Sequence, residues 1–446
     1  MVKDLTQGKP INLILRFCMP LLAGNLFQQF YNLIDTIIVG RFIGKTALSA
    51  VGSVGSLNFL VIGSVIGLCS GLAIPVAQAF GAEDYKRLRR LMAHIFYISA
   101  VLSAAITLIT VLGTGGLLRL LNTPDDIFKD AYDYIVIIFG GISATVLYNI
   151  LAGVIRSVGD SKTPLYVLIF SSFLNIGLDL LFVIKFGMGV KGVAIATVVS
   201  QAASGLICLI IIWRKFKLLH FSKPDMSFDS RICRHLLYNG LPMALQFSIT
   251  AIGSLMLQAC VNTLGSDIIA AMTVAGKTLG FIVLPSETIG LTMATYCGQN
   301  LGAGKIDRIK KGVNSAVGVG MLYSVMAFFI ARFAGRYISL LFISASETGV
   351  LNNVEHYFGI CSWFFPVLVF IYIYRNSIQG MGFSVQAMSA GVFELAARGI
   401  VGFGFVTRLG FTAACFANPM AWVAADVLLI PMYFYQIHKL QKKLTE

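Results

Sequence analysis

The side chains of this chain with the greatest capacity for chemistry are acids and amides inside long apolar stretches. Asp35 follows Gln28 by seven residues, or roughly two helical turns, so the two share one helix face. Tyr31 lies near that face and is a candidate to line a substrate pathway. Asn175 and Asp179, four residues apart, share a face of a second stretch. Two carboxyls that meet away from water resist ionising together, so one of them would hold a proton and the pair could carry protons.

Amide and hydroxyl oxygens near these acids offer a second chemistry, the binding of a sodium ion. Such oxygens suit a hard cation, and the candidates are Gln28, Asn149, Asn175 and Thr197. Asp35, Asp179 and Asn175 are the expected sodium ligands, and the sequence leaves the choice between H+ and Na+ open. No other metal or cofactor is expected, because the eight cysteines are scattered without a CxxC pair or a metal-type Cys/His spacing. The alternative for each polar group is a structural hydrogen bond between helices.

Five other charged residues fall inside apolar stretches. Glu394 and Arg398 are four residues apart, so they are expected to pair along one helix as a structural contact. Lys277 and Glu287, ten residues apart on another stretch, are candidates for the substrate pathway, because an ionisable group at membrane depth is costly and usually functional. Asp426 has no partner that the sequence can name, and its role is open.

Composition places these stretches in a membrane. Of 446 residues, 57% are hydrophobic and 12% are charged, against a charged share of about 25% in soluble domains. A spanning helix needs about 20 mostly apolar residues, so the chain accommodates twelve spans and no sizeable soluble domain. Pro20 should make the first span bendable, because proline removes a helix hydrogen bond. The predicted spans, numbered 1 to 12, are 11–39, 47–79, 90–113, 132–156, 163–185, 190–213, 235–262, 268–296, 312–334, 354–378, 383–406 and 411–437.

The distribution of Lys and Arg predicts the orientation of the chain. With both termini inside, the inner segments hold 23 of the 34 Lys and Arg residues, Arg375 among them, and the outer segments hold 9. Because cytoplasmic loops carry the excess of basic residues, we expect a multi-pass protein of the inner (plasma) membrane with both termini in the cytoplasm. The same excess explains the net charge of +14 without a nucleic-acid partner.

The chain contains two copies of one six-span unit. Gly44 pairs with Gly265 at an offset of 221, and Gly187 pairs with Gly410 at an offset of 223. Copies with an even number of spans share one orientation, so a pseudo-twofold axis along the membrane normal is expected. The sequence therefore predicts an all-α integral membrane fold of twelve transmembrane helices in two parallel six-helix bundles. They are an amino-terminal lobe at 1–213, a basic cytoplasmic linker at 214–234 and a carboxyl-terminal lobe at 235–446.

Several of these features together resemble a known family. The chain has Pro20 followed by Asp35 in span 1, and spans 2 and 8 end in the related signatures QAFGAED and GQNLGAGK. This pattern resembles the multidrug and toxic compound extrusion (MATE) family of the multidrug/oligosaccharidyl-lipid/polysaccharide flippase superfamily. The segment NIGLD in span 5 and Thr197 in span 6 are similar to the prokaryotic branch with its cation site in the amino-terminal lobe. The other bacterial branch has a Glu in span 7 and an Asp in span 10, and this chain has neither.

The resemblance implies a function and excludes others. It implies an antiporter, coupled to H+ or Na+, that exports amphipathic or cationic small organic compounds by alternating access, embedded in lipid and functional as a monomer. The alternative is a flippase for lipid-linked oligosaccharide or a peptidoglycan precursor, which would need several cavity-facing cations to hold a pyrophosphate. Membrane-embedded enzymes need a DDxxD cluster, a Ser/His pair or an HExxH motif within the spans, and none is present there.

Overall fold

The computed structural model describes residues 4–121 and 123–445, and this part of the chain is helical without β-strands. Eleven of its helices are long and apolar enough to cross a membrane, and a helix pair bent by 47° supplies a twelfth span. The predicted all-α fold is thereby confirmed. Spans 1 to 12 are Pro10–Ile43, Gly55–Gly81, Tyr85–Leu120, Asp125–Gly140 with Ile142–Ser157, Lys162–Lys185, Gly189–Lys215, Ser230–Leu264, Ser266–Gly302, Ile306–Ser339, Thr348–Gly380, Ser384–Val406 and Phe411–Lys442.

Two spans differ from the prediction in local detail. Predicted span 2 divides at Val54 into a short helix, Lys45–Ser53, and the spanning helix Gly55–Gly81. Span 4 bends at Gly141, which packs so closely on span 6 that a Cβ there would lie 2.3 Å from a methyl carbon of Val198. A side chain at this position would clash, so the close packing of spans 4 and 6 requires glycine here.

The backbone confirms the internal repeat. Gly44 and Gly265, paired by the sequence, have φ angles of 119° and 98°, and each precedes a helix. Gly187 and Gly410, also paired, have φ angles of 62° and 63°. Positive φ is rare for residues with a Cβ, so matching positive values at predicted pairs indicate the same turn in both halves.

The described residues fall into two compact units. Within the described ranges, unit 1 comprises Asp4 and Met19–Ala244, and unit 2 comprises Leu5–Cys18 and Leu245–Thr445. The sequence predicts an amino-terminal lobe that ends at 213 and a carboxyl-terminal lobe that begins at 235, and these boundaries differ from those of the two units. The differences concern two segments, the start of span 1 and the basic linker with the start of span 7.

Hydrogen bonds explain both differences. The basic linker packs onto unit 1, because Asp229 pairs with Arg90 at 3.0 Å and its backbone N–H donates to Nε2 of the buried His94 at 2.9 Å. In unit 2, the backbone N–H of Leu5 donates to Oε1 of Gln299 at 2.9 Å, and the Asn300 amide donates to the Leu5 carbonyl. Each segment is therefore held by polar contacts that a hydrophobicity pattern does not reveal.

Candidate coupling site

Spans 1, 5 and 6 bring four of the predicted site residues together in unit 1. In the orientation that satisfies its neighbours, the Asn175 amide nitrogen donates to Oδ1 of Asp35 at 3.0 Å and to Oδ2 of Asp179 at 3.1 Å. The oxygen of the same amide accepts from the backbone N–H of Thr197 at 3.3 Å. Asn175 is thus the bridge between two acids that lie about 140 positions apart in the sequence.

The two carboxyl groups also lie within hydrogen-bonding reach of each other. Carboxylates only accept hydrogen bonds, so a direct contact between them requires a shared proton or a bound cation. Asp179 is fully buried, and its Oδ1 has no hydrogen-bond partner in the described part of the chain. No Lys or Arg of the described residues forms an ion pair with either acid.

Helical spacing explains how the pair is built. Tyr31 and Asp35 are four residues apart on span 1, and their side chains hydrogen-bond to each other. The Tyr31 hydroxyl also reaches Thr197, so this side chain lies beside the acid pair. Asn175 and Asp179 share one face of span 5 in the same manner, and both are buried.

Three other predicted residues lie outside this cluster. Gln28 is exposed, and the Asn149 amide donates to the carbonyl of Thr145 at 2.9 Å, one turn earlier in its own helix. The structure does not bring either amide to the acids. Pro20 lies inside the continuous helix Pro10–Ile38, two residues after Cys18, where the chain passes from unit 2 to unit 1.

The sequence did not indicate one neighbour of the acids. Tyr134 of span 4 lies within electrostatic range of both Asp35 and Asp179. The chain has sixteen tyrosines, and no sequence spacing distinguishes Tyr134 from the others. Only the packing of spans 1, 4, 5 and 6 identifies it.

Unit 2 contains a different charged cluster. The predicted contact between Glu394 and Arg398 is confirmed, with Arg398 Nη2 at 3.5 Å from Oε2 of Glu394. Arg375 of span 10 donates to the other carboxylate oxygen, Oε1. Arg375, counted with the basic inner segments in the sequence analysis, is 9% exposed, lies inside span 10 and is paired across helices. Arg398 also donates to Oδ1 of Asn418 at 3.2 Å.

The other three intramembrane charged residues predicted in unit 2 lie in different surroundings. Lys277 is exposed, with its ammonium nitrogen 5.7 Å from the centre of the Phe342 ring. Glu287 is half-buried and lies within electrostatic range of Tyr372. Asp426 is buried, with neither carboxyl oxygen hydrogen-bonded within the described part of the chain. No hydrogen bond or ion pair joins Lys277 to Glu287 in the described part of the chain.

A multi-pass helical protein built from two copies of a six-span unit, with an acid pair inside one copy, has the architecture of a secondary transporter. The family model MatE matches residues 20–181 and 242–402, once in each half. The chain is 30% identical over 342 residues to the Probable multidrug resistance protein YoeA of Bacillus subtilis, covering 74% of this chain and 73% of that protein.

Two further likenesses agree with this match. The Probable multidrug resistance protein YpnP of Bacillus subtilis is 28% identical over 393 residues, covering 86% of each chain. A solved structure, the outward-facing conformation of a multidrug resistance MATE family transporter of the MOP superfamily, aligns with a TM-score of 0.91 and 22% identity over 98% of both chains. The chain belongs to the MATE family of transport proteins, as the sequence predicted.

Proposed function

We propose that this protein exports amphipathic, often cationic, organic compounds, driven by the inward flow of H+ or Na+ through the Asp35–Asp179 site. One observation carries the proposal: the buried carboxyl group of Asp179 and the half-buried one of Asp35 meet through Asn175, with no Lys or Arg partner among the described residues. Negative charge at membrane depth needs compensation. When the protein supplies no cation of its own, an exchangeable cation must supply it.

Both candidate ions suit the chemistry of this cluster. A proton would sit between Asp35 and Asp179, while the Asn175 amide nitrogen donates to both. A sodium ion would instead require the amide to present its oxygen, together with the carboxylates and the hydroxyls of Tyr31 and Thr197. The same side chains thus offer donors to a protonated pair and oxygens to a metal ion.

Export follows if cation binding and substrate binding favour different conformations of the bundle. Span 1 carries Asp35, and Pro20 interrupts its backbone hydrogen bonding, so a change of charge at Asp35 can alter how this helix bends. Each monovalent cation that enters releases about 2.3 kcal/mol per 100 mV of membrane potential. A tenfold substrate gradient costs about 1.4 kcal/mol, so one cation per cycle suffices.

The class of substrate is inferred from the relatives. The curated relatives described above are named as multidrug resistance proteins, which favours drug-like organic compounds over the lipid-linked precursors of a flippase. From the excess of Lys and Arg in alternate loops, we place both termini in the cytoplasm and the chain in the plasma membrane. We further propose that a single chain is functional, because both the acid pair and its neighbours come from one unit.

Ethidium efflux from energised cells that express the chain tests the proposal. The fluorescence decrease is followed while the pH gradient and the sodium gradient are collapsed separately. Efflux that stops when one gradient is removed identifies the coupling ion. Efflux that is unaffected by loss of both gradients would contradict cation coupling, and absence of ethidium export at any gradient would contradict the substrate class once other amphipathic cations had also failed.

A further inference from the structure

Unit 2 contains a buried carboxyl group that the proposed function does not use. Asp426 of span 12 is 6% exposed, and neither of its oxygens has a hydrogen-bond partner in the described part of the chain. An ionised carboxylate in this place would be a buried charge without direct compensation, which is a costly state. The group therefore needs either a proton or a cation within reach.

A cation lies within electrostatic range. Arg375 of span 10 and Glu394 of span 11 both act on the charge of Asp426. Arg375 donates to Glu394 through Nη2, while its Nε has no acceptor among the described residues. An unpaired donor of span 10 and an unpaired carboxyl of span 12 thus lie within electrostatic range of each other, without a direct ion pair between them. The other titratable groups that face this cluster from the packed helices are Tyr374, Tyr372, Tyr357 and Arg398.

The net charge of the cluster depends on Asp426. Arg375, Arg398 and an ionised Glu394 together leave one positive charge in excess. An ionised Asp426 would cancel this excess, and a protonated Asp426 would leave it in place. A buried net charge raises the free energy of the folded protein, and an unpaired buried carboxylate does so as well. The two costs oppose each other, so small changes of geometry can shift the balance between the two protonation states.

Span 12 also offers a route for protons. Asp426, Tyr433 and Gln436 are spaced by seven and three residues, which places them on one side of the helix. All three are buried, and each has an oxygen without a hydrogen-bond partner in the described part of the chain. Buried unpaired polar atoms usually bond to ordered water. This row runs about 15 Å along the helix, from Asp426 toward its carboxyl-terminal end.

We propose that Asp426 is a second proton-binding site, located in unit 2, and that its proton decides whether Arg375 pairs with Glu394 alone or also with Asp426. The structure has Arg375 paired with Glu394, and we assign this arrangement to the protonated state of Asp426. When the carboxyl group releases its proton along the row of polar groups to water, the resulting carboxylate attracts the unpaired Nε–H of Arg375. A single proton thereby changes the contacts between spans 10, 11 and 12.

The chain carries its own reporter for this event. Trp422 lies four residues before Asp426 on the same helix and is buried, whereas the other two tryptophans, Trp213 and Trp363, are exposed. In a variant with Trp213→Phe and Trp363→Phe, indole emission comes from Trp422 alone. We expect the emission of the purified full-length protein to change with pH in a single one-proton transition.

Matched variants assign the transition to its residue. Asp426→Asn should abolish it, and Asp426→Glu should keep it with a shifted midpoint, which also serves if the Asn variant fails to fold. Asp35→Asn should leave it unchanged, so that this test is independent of the proposed export mechanism. The proposal is overturned if the folded wild-type background shows no transition, or if the transition persists unaltered in Asp426→Asn or in Asp426→Glu.

Discussion

The acid pair of unit 1 and Glu394 of unit 2 are stabilised in opposite ways. Glu394 in unit 2 is contacted by two guanidinium groups, from Arg375 and Arg398. Asp35 and Asp179 in unit 1 meet only neutral partners, chiefly the Asn175 amide. An acid with built-in cations keeps its charge compensated at all times, whereas an acid pair without them depends on an ion from solution. We therefore expect the acid pair of unit 1, rather than Glu394, to exchange a cation during transport.

The internal repeat relates this contrast between the units to two pairs of equivalent positions. At the offset of 223 that relates the later spans, Arg398 occupies the place of Asn175, and Gly402 occupies that of Asp179. Unit 2 therefore has a cation where unit 1 has a neutral amide, and no acid where unit 1 has its second carboxyl. At these equivalent positions unit 2 has the permanent positive charge of Arg398, whereas unit 1 depends on the exchangeable cation that we propose.

The largest expected effect comes from removing the exchangeable charge. Asp35→Asn should abolish gradient-driven ethidium export, lowering the sustained substrate gradient by roughly tenfold or more, because the energy of the entering cation is no longer available. Asp179→Asn should weaken export as well, and the double variant should be little worse than the stronger single, because coupled sites are not additive. Efflux from proteoliposomes measures all three.

The control for these variants is Asp126→Asn, which changes an exposed acid of the same type. It should export normally. Normal export by the Asp35→Asn variant would show that the carboxyl pair is structural, and the contrast between the two units would then have no bearing on coupling.

The charge arrangement of unit 2 can be introduced into unit 1 by one substitution. Asn175→Arg would place a guanidinium group between Asp35 and Asp179, at the position that Arg398 occupies in unit 2. We expect a folded protein that binds ethidium but exports it poorly, because a permanent cation leaves nothing to exchange. Ethidium binding at several pH values and sodium concentrations provides the measurement, and the wild-type dependence on either ion should be lost.

Asn175→Gln serves as the uncharged control, since it keeps the amide and should keep the ion dependence in weakened form. Retention of a full ion dependence in the folded Asn175→Arg variant would mean that the exchangeable cation binds elsewhere.

Disruption of the unit 2 cluster should affect folding before it affects transport. Removal of one partner leaves the other charge buried and uncompensated, at about 3–5 kcal/mol, so Glu394→Gln should lower the yield of folded protein sharply. The double change Glu394→Met with Arg398→Leu still leaves Arg375 without Glu394, so it should recover only part of that yield. Addition of Arg375→Met should recover more.

Size-exclusion profiles in detergent and ethidium efflux should be measured for each of these variants. Full recovery of folded protein together with complete loss of export would assign the cluster to the substrate pathway and remove the structural role that we give it.

An acid outside the membrane provides the reference case and the smallest effect. Hydrogen bonds from the backbone N–H and the hydroxyl of Ser222 lower the pKa of Asp225 in the basic linker, and Arg89 adds to this at 3.7 Å. A lowered pKa means that the contribution to stability is present above the ordinary carboxyl pKa and is lost as the pH falls through the lowered value. Asp225→Asn should therefore lower the melting temperature by about 1–2 °C at neutral pH and by less in acid.

Thermal unfolding at several pH values, with Asp126→Asn for comparison, measures this difference. A melting temperature that differs by the same amount at every pH would show that the ionised form of Asp225 contributes no stability.

Local spacing within a helix made part of the site predictable. Asn175 with Asp179 and Glu394 with Arg398 are four residues apart, so one helical turn determines that each pair shares a face. The repeat and the apolar periodicity predicted the fold for the same reason, since both are visible along one chain segment. Contacts between helices were not visible in this way.

Arg375 illustrates what the sequence alone could not predict. It looked like a basic residue at the end of a span, and only the packing of span 10 against span 11 brings it to Glu394. Gln28 is the converse case, because its spacing from Asp35 predicts a shared face but not the exposed surroundings that the structure gives it. Side-chain partners across helices depend on helix rotation and distance, which periodicity does not determine.

The most direct test of the exchangeable cation in unit 1 is the ion released when substrate binds. Purified protein in weakly buffered detergent solution is mixed with ethidium, and proton release is followed with a pH electrode, or sodium release with a sodium electrode. We predict that the wild type releases one of these ions and that Asp35→Asn still binds ethidium without releasing it. Equal release by both proteins, or no release of either ion by a wild type that binds ethidium, would contradict the account.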